Sequence, residues 1–238
     1  MDTKTNVQSV LAELDALGKP LLKKRYLGQG AREPLFGVAT GAMKPLAKQH
    51  MHDQALAKAL YETGNYDAMY FAGVIADPKA MGEKDFDRWM EGAYFYMLSD
   101  YVVAVTLAET DIAFAQGVSD RWIDSGKDLW MSAGWCCYAW LLGSRPDTAF
   151  DTGKLRAMLF RARETIHAQP ERTRHAMNLF VAAVGVSYSP LHGEALETAR
   201  AVGAALEKMG IKPSSAAAEI EKAAEKGKIG FKRRYVRC

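Results

Sequence analysis

Cysteine is scarce in this chain. Three residues in 238, with Cys136 and Cys137 adjacent and Cys238 last, offer no disulfide framework and suit a reducing compartment, so a cytoplasmic location is expected. Long apolar runs are missing as well. No stretch suffices to span a bilayer, and the opening "MDTKTNVQSV" has neither the basic nor the apolar region of a signal peptide, so no membrane association is expected. Alternating β-branched runs between turn residues are nearly absent, which excludes a sheet-based fold. The charges almost balance: 31 Lys and Arg against 28 Asp and Glu leave +3. Affinity for a polyanion would therefore have to come from clustering of cations, not from their excess. Metal motifs are lacking too. His50 and His52 form an HxH pair and His167, His175 and His192 are scattered, but no HExxH or CxxC supports a metal, and neither metal nor cofactor is expected. "LGQGARE" at 27–33 contains GxG without a third glycine or a preceding strand, which makes it a turn.

What the chain has in quantity is helical periodicity. Its hydrophobic fraction of 49% and charged fraction of 25% are those of a globular protein. Apolar residues recur at three- and four-residue spacing along most of it: Val7, Val10, Leu14; Met43, Leu46, Ala47 after a Thr40 cap; Leu56, Leu60; Phe71, Ile75; Phe86, Trp89; Leu155, Leu159; Phe180, Val184; Val202, Leu206. Pro and Gly mark the joints at "ADPKAMG", "GSRPDT", "AQPE", "YSPLHG" and "GIKPSS". Four apolar segments, "YFAGVIA", "DYVVAVTLA", "AGWCCYAWLL" and "LFVAAVGV", interrupt large residues with small ones, which lets neighbouring helices approach closely. Their spacing predicts stacked helix pairs of the HEAT or armadillo kind, an all-α, α–α superhelix, with a compact helical bundle as the alternative. Trp130, Trp135 and Trp140, five residues apart, fall on different helix faces and read as core, as do Cys136 and Cys137.

We expect one helical-repeat domain over 1–225 and a basic tail over 226–238. That tail, "KGKIGFKRRYVRC", carries Lys226, Lys228, Lys232, Arg233, Arg234 and Arg237 around Phe231 and Tyr235, with no acid. It reads either as a solvated terminus or as a surface that meets phosphates. Gly227 and Gly230 allow the backbone to turn at the helix end and fold back. Farther upstream, Tyr94, Met97, Leu98, Tyr101 and Val102 make an apolar stripe. Tyr96 and Asp100, at i and i+4, lie off it and could face a groove. The alternative is that Asp100 is a solvated acid and that Phe95 and Tyr96 are ordinary packing.

Five stretches, in order, resemble the AlkD-like DNA alkylation repair proteins: "EPLFGV" followed by "MKPLAK", "LYETGNYDAMYFAGVIADP", "WMEGAYFYMLSDYVVA", "RTRHAMNLFVAAVG" and "IEKAAEKGKIGFKRRYVRC". The resemblance covers nearly the whole chain. It implies HEAT-like repeats wrapped about double-stranded DNA in a concave basic groove and, for active members, excision of N3- or N7-alkylated purines. It places Asp100 as the carboxylate that stabilises the sugar's developing positive charge and assists a water, with Phe95 or Tyr96 against the damaged nucleotide. Lys44, Lys48, Arg161, Arg163, Arg172, Arg174, Lys228, Lys232, Arg233, Arg234 and Arg237 are the cations expected to meet DNA. The chain also departs from the family's pattern. Ser132 and Ala133 stand where active members carry an Arg, and a second functional Trp falls near Val186, with Tyr188 two residues on. Three readings follow: an alkylpurine DNA glycosylase, a non-catalytic protein that recognises duplex backbone or distorted DNA, and a protein-binding scaffold.

Overall fold

The computed structural model describes residues 3–211 and 215–237. The chain divides into two compact units, Met1–Thr110 and Asp111–Cys238. The first contains α1 (Thr3–Leu17), α2 (Pro20–Gly28), α3 (Lys44–His50), α4 (Gln54–Tyr61), α5 (Tyr66–Ile75), α6 (Glu83–Gly92), α7 (Tyr96–Leu98), a π-helical turn Ser99–Val103, and α8 (Ala104–Ala108). The second contains α9 (Ile112–Ile123), α10 (Asp128–Leu142), α11 (Thr152–Thr165), α12 (Glu171–Ser187), α13 (His192–Lys208) and α14 (Ala216–Glu225). No strand occurs among the described residues. None of their helices is long and apolar enough to cross a membrane.

Short polar side chains start many of these helices. Asp53 accepts from Leu56 N, Asn65 from Ala68 N, Asp111 from Ala113 N and Phe114 N, and Asp151 from Lys154 N. Each satisfies a donor that has no partner within its helix, worth about 1 kcal/mol. Thr40 does not cap α3 as the sequence suggests. It opens a 3₁₀ turn, Thr40–Met43, whose own N-cap is Ala39, and α3 follows that turn with Pro45 in its first turn.

Within the first unit α4 packs on α5, α1 lies against both, and α5 meets the π turn. In the second, α9 packs on α10, α10 on α12, α12 on α13 and α14, and α11 on α13. The residues of the sequence stripes fill these interfaces: Leu14, Leu56, Leu60, Phe71, Ile75 and Phe86 in the first unit, and Trp122, Trp135, Phe180, Val184 and Val202 in the second, are all buried.

The small residues inside the apolar segments sit where helices touch. A Cβ on Gly73 would lie 2.5 Å from Val102 Cγ1 in the π turn, and one on Gly185 would lie 2.6 Å from Ile220 Cγ1 of α14. On Gly134 it would lie 2.7 Å from both Ser119 O and Ile123 Cγ1 of α9. That carbonyl is helical backbone and cannot swing aside. Gly134→Ala is therefore expected to lose about 1–3 kcal/mol despite its better helix propensity, the cost of overpacking. A urea melt showing the variant as stable as the wild type would mean that α9 and α10 separate freely.

Candidate nucleic-acid interface

The first unit's candidate site is built on α5 and the π turn. Asn65 caps α5, which places Asp67 in its first turn, fully buried. The Asp67 carboxylate accepts the N–H groups of Phe36 at 2.6 Å, Gly37 at 3.0 Å and Val38 at 2.8 Å, while Tyr66 N donates to Pro34 O at 3.0 Å. The "EPLFGV" stretch is thus a nest of backbone donors closed on a carboxylate of the same unit. Gly37, at φ +83°, is the residue that permits this turn, and a Cβ there would strike the backbone of Lys23.

Aromatic rings cluster beside that nest. Tyr66 lies 5.3 Å from Tyr26, 6.4 Å from Tyr70 and 5.8 Å from Phe95. Phe95 meets Tyr96 edge-on at 4.5 Å, and Tyr96 meets Tyr101 at 6.4 Å. Phe95 is 4% exposed, so its ring is spent on this cluster, whereas Tyr96 is half-buried. Asp100 is 1% exposed and accepts a 2.8 Å hydrogen bond from the Ser99 hydroxyl. An uninterrupted α-helix would leave Asp100 off the apolar stripe. Asp100 is instead buried, the second residue of the π turn Ser99–Val103.

The cations named above fall into two groups. Lys44 and Lys48 are exposed on α3, one turn apart, and Lys228 is exposed beyond α14; none of the three makes an ion pair among the described residues. Arg163 is exposed with only a loose 3.6 Å contact to its neighbour Glu164, and Arg234 is exposed with its guanidinium 5.1 Å from the centroid of the Tyr235 ring. The others are engaged or half-buried. Arg161 is paired with Asp124 at 2.7 Å, and Arg174 donates to Gln169 O at 2.6 Å. Arg172 and Arg237 are half-buried.

Lys232 and Arg233 hold the tail to the second unit. The Lys232 ammonium donates to Leu142 O at 2.8 Å and Ser187 O at 2.5 Å and pairs with Asp147 at 2.8 Å. Those carbonyls end α10 and α12, so one cation satisfies two helix C-termini and lies where both dipoles are negative. Arg233 donates its backbone N–H to Gly143 O at 2.7 Å and lays its guanidinium 4.8 Å from the centroid of the Trp140 ring. The tail does turn at Gly227 (φ +61°) and Gly230 (φ +80°) and folds back, with Gly230 N donating to Val186 O and Val236 buried.

Sequence reasoning had no signal for Asp147, the partner of Lys232, which sat in a stretch legible only as a joint. Tyr188 is 2% exposed, shares a 2.6 Å hydrogen bond with Thr152 and packs on Phe150, so it belongs to the core under the tail. Ser132 and Ala133 are fully buried. Of the three tryptophans at five-residue spacing, Trp135 is core, packed on Phe180, while Trp130 and Trp140 are half-buried beneath Lys127 and Arg233. Burial pushes the Cys137 thiol up to about 12, which keeps it protonated and inert. No cluster of metal-ligating side chains occurs among the described residues.

Three comparisons bear on this arrangement. The family model described as DNA alkylation repair enzyme matches residues 10–215. An uncharacterized protein of Listeria innocua is 28% identical over 89% of this chain and 94% of its own length, and one of Listeria monocytogenes is 26% identical over 80% and 84%. A solved structure described as "a new family of proteins related to the HEAT-like repeat DNA glycosylases with affinity for branched DNA structures" is 57% identical, with both chains covered completely and a TM-score of 0.88. The fold class is thereby the all-α superhelix of HEAT-like repeats that the helix spacing predicts.

Proposed function

The chain belongs to the DNA alkylation repair enzyme family, and from that premise we propose that it is a cytoplasmic DNA-binding protein that prefers branched or distorted DNA to linear duplex. The observation that carries this reading is the 57% identity, over the full length, to a protein whose family is described by its affinity for branched DNA. Exposed cations on both units support it. Lys44, Lys48, Arg163, Lys228 and Arg234 are free to neutralise phosphates, each adding about 0.9 to the slope of log affinity against log salt on duplex DNA. Arg161 can join them only by exchanging Asp124 for a phosphate.

A second reading, excision of N3- or N7-alkylated purines, is favoured by the description of the family as a repair enzyme and by the sequence resemblance, which implies that Asp100 is the catalytic carboxylate. The chemistry is modest, because a cationic alkylpurine is a good leaving group and the protein must mainly stabilise the sugar's positive charge and direct a water. A carboxylate 1% exposed has to be uncovered before it can do either. Its burial weighs toward binding as the main activity.

The test is a titration of the purified protein against a four-way junction, a fork and a linear duplex of equal strand length, followed by incubation with methylated duplex and measurement of released 3- and 7-methylpurines. We expect tighter binding to the junction and fork than to the duplex, with little release. Equal affinity for all three would remove the branched-DNA reading. Rapid release would establish the enzyme.

A further inference from the structure

The tail presents two rings to solvent that its charges do not explain. Phe231 is 61% and Tyr235 63% exposed, among the most exposed large apolar side chains of the described residues. Their position is fixed by the residues between and around them. Gly230 N on Val186 O, Lys232 on Leu142 O, Ser187 O and Asp147, Arg233 N on Gly143 O, and buried Val236 hold the backbone to the second unit. A solvated terminus would leave such rings mobile. Here the segment is strapped down, and the strap turns its apolar faces outward.

The electrostatic setting selects the occupant. No acid occurs from Lys226 to Arg237, and Lys226, Lys228 and Arg234 are exposed beside the rings. Arg234 already lies against Tyr235, 5.1 Å from its centroid. An apolar protein partner would gain from the rings but would have to desolvate these cations. An anionic polymer with flat, unstacked faces gains from both. Duplex DNA offers phosphates but keeps its bases stacked inside, whereas single-stranded DNA offers phosphates and open π-faces together.

We propose that Phe231 and Tyr235 form a stacking platform for unpaired nucleotides, with Lys228 and Arg234 on the adjoining phosphates. The inference deepens the branched-DNA reading by naming the part of such a substrate that the tail contacts, the unpaired bases at its branch. Lys232 and Arg233 contribute by fixing the platform and not by touching DNA.

The experiment uses the full chain and two variants, Phe231→Ala with Tyr235→Ala and Phe231→Leu with Tyr235→Leu, against a labelled oligothymidylate, a blunt duplex of the same length and a four-way junction. Base stacking on an aromatic side chain corresponds to about tenfold in affinity per ring. The alanine pair is expected to weaken oligothymidylate binding about 10- to 100-fold and duplex binding less than about twofold. The leucine pair, which keeps apolar area but no π-face, should lose most of the same affinity. Both rings are exposed, so both variants should melt as the wild type does. Unchanged oligothymidylate affinity in the alanine pair, or full affinity in the leucine pair, overturns the platform. If the wild type prefers the junction while the alanine pair is unchanged on every probe, the platform falls and the branched-DNA reading stands. If the alanine pair loses oligothymidylate but the wild type shows no preference for the junction, the platform stands and that reading falls. Failure of the wild type to bind any of the three probes removes both.

Discussion

Asp67→Ala is expected to unfold much of the first unit near physiological temperature. The substitution leaves the N–H groups of Phe36, Gly37 and Val38 without their acceptor, and the latter two are in a buried environment. Each unsatisfied buried donor costs about 1–3 kcal/mol, so the three together cost on the order of 3–9 kcal/mol. That is a large share of the roughly 5–15 kcal/mol by which a domain is stable. Asp67→Asn keeps one carbonyl oxygen for these donors but turns an NH₂ toward the rest, and should fall between wild type and alanine. Thermal melts rank the three proteins, and hydrogen exchange at residues 36–38 locates the damage. An alanine variant within about 1 kcal/mol of wild type would mean that water replaces the carboxylate without penalty.

This contact joins two stretches about thirty residues apart that the sequence presents separately. "EPLFGV" and "NYDAMYF" have little in common as sequences, yet the first supplies three donors in a row and the second a capped helix start that presents a carboxylate to them. Neither half signals this contact by itself, so it was not legible in the sequence.

Other features were open to direct reading. Gly134 and Gly185 interrupt apolar segments, and in each case the neighbouring helix occupies the space of the missing Cβ. Gly227 and Gly230 follow a helix and take the left-handed φ that folds the tail back. These are local rules with one physical outcome. The fate of the tail's cations was not local. Lys232 and Arg234 look alike in "FKRRY", but one meets two helix carbonyls and an acid some forty to ninety residues away, and the other meets solvent. The burial of Asp100 is not local either. A helical stripe tells which side chains share a face but not what packs against the others; here the helix begins only at Tyr96, and α5 packs against Ser99–Val103.

Asp100→Asn is expected to lower any alkylpurine release by about 10²–10³-fold, the usual worth of a general base or a charge aimed at a developing cation. Asparagine has the same shape and can still accept the hydrogen bond from Ser99, but it carries no charge and takes no proton from water. DNA affinity should change less than about twofold, because a side chain 1% exposed in the free protein contributes no phosphate contact of its own. The two measurements answer different questions. A fall in release at constant affinity makes Asp100 the catalytic carboxylate and requires that DNA binding uncover it, which hydrogen exchange across 96–103 would detect as loosening of the π turn on adding junction. Release at the wild-type rate would make Asp100 a structural acid held by Ser99, and the chemistry would have to be sought elsewhere. Should the wild type release nothing, the variant is expected to bind the junction as the wild type does, since the buried carboxylate then contributes to the packing of the first unit and not to its contact with DNA.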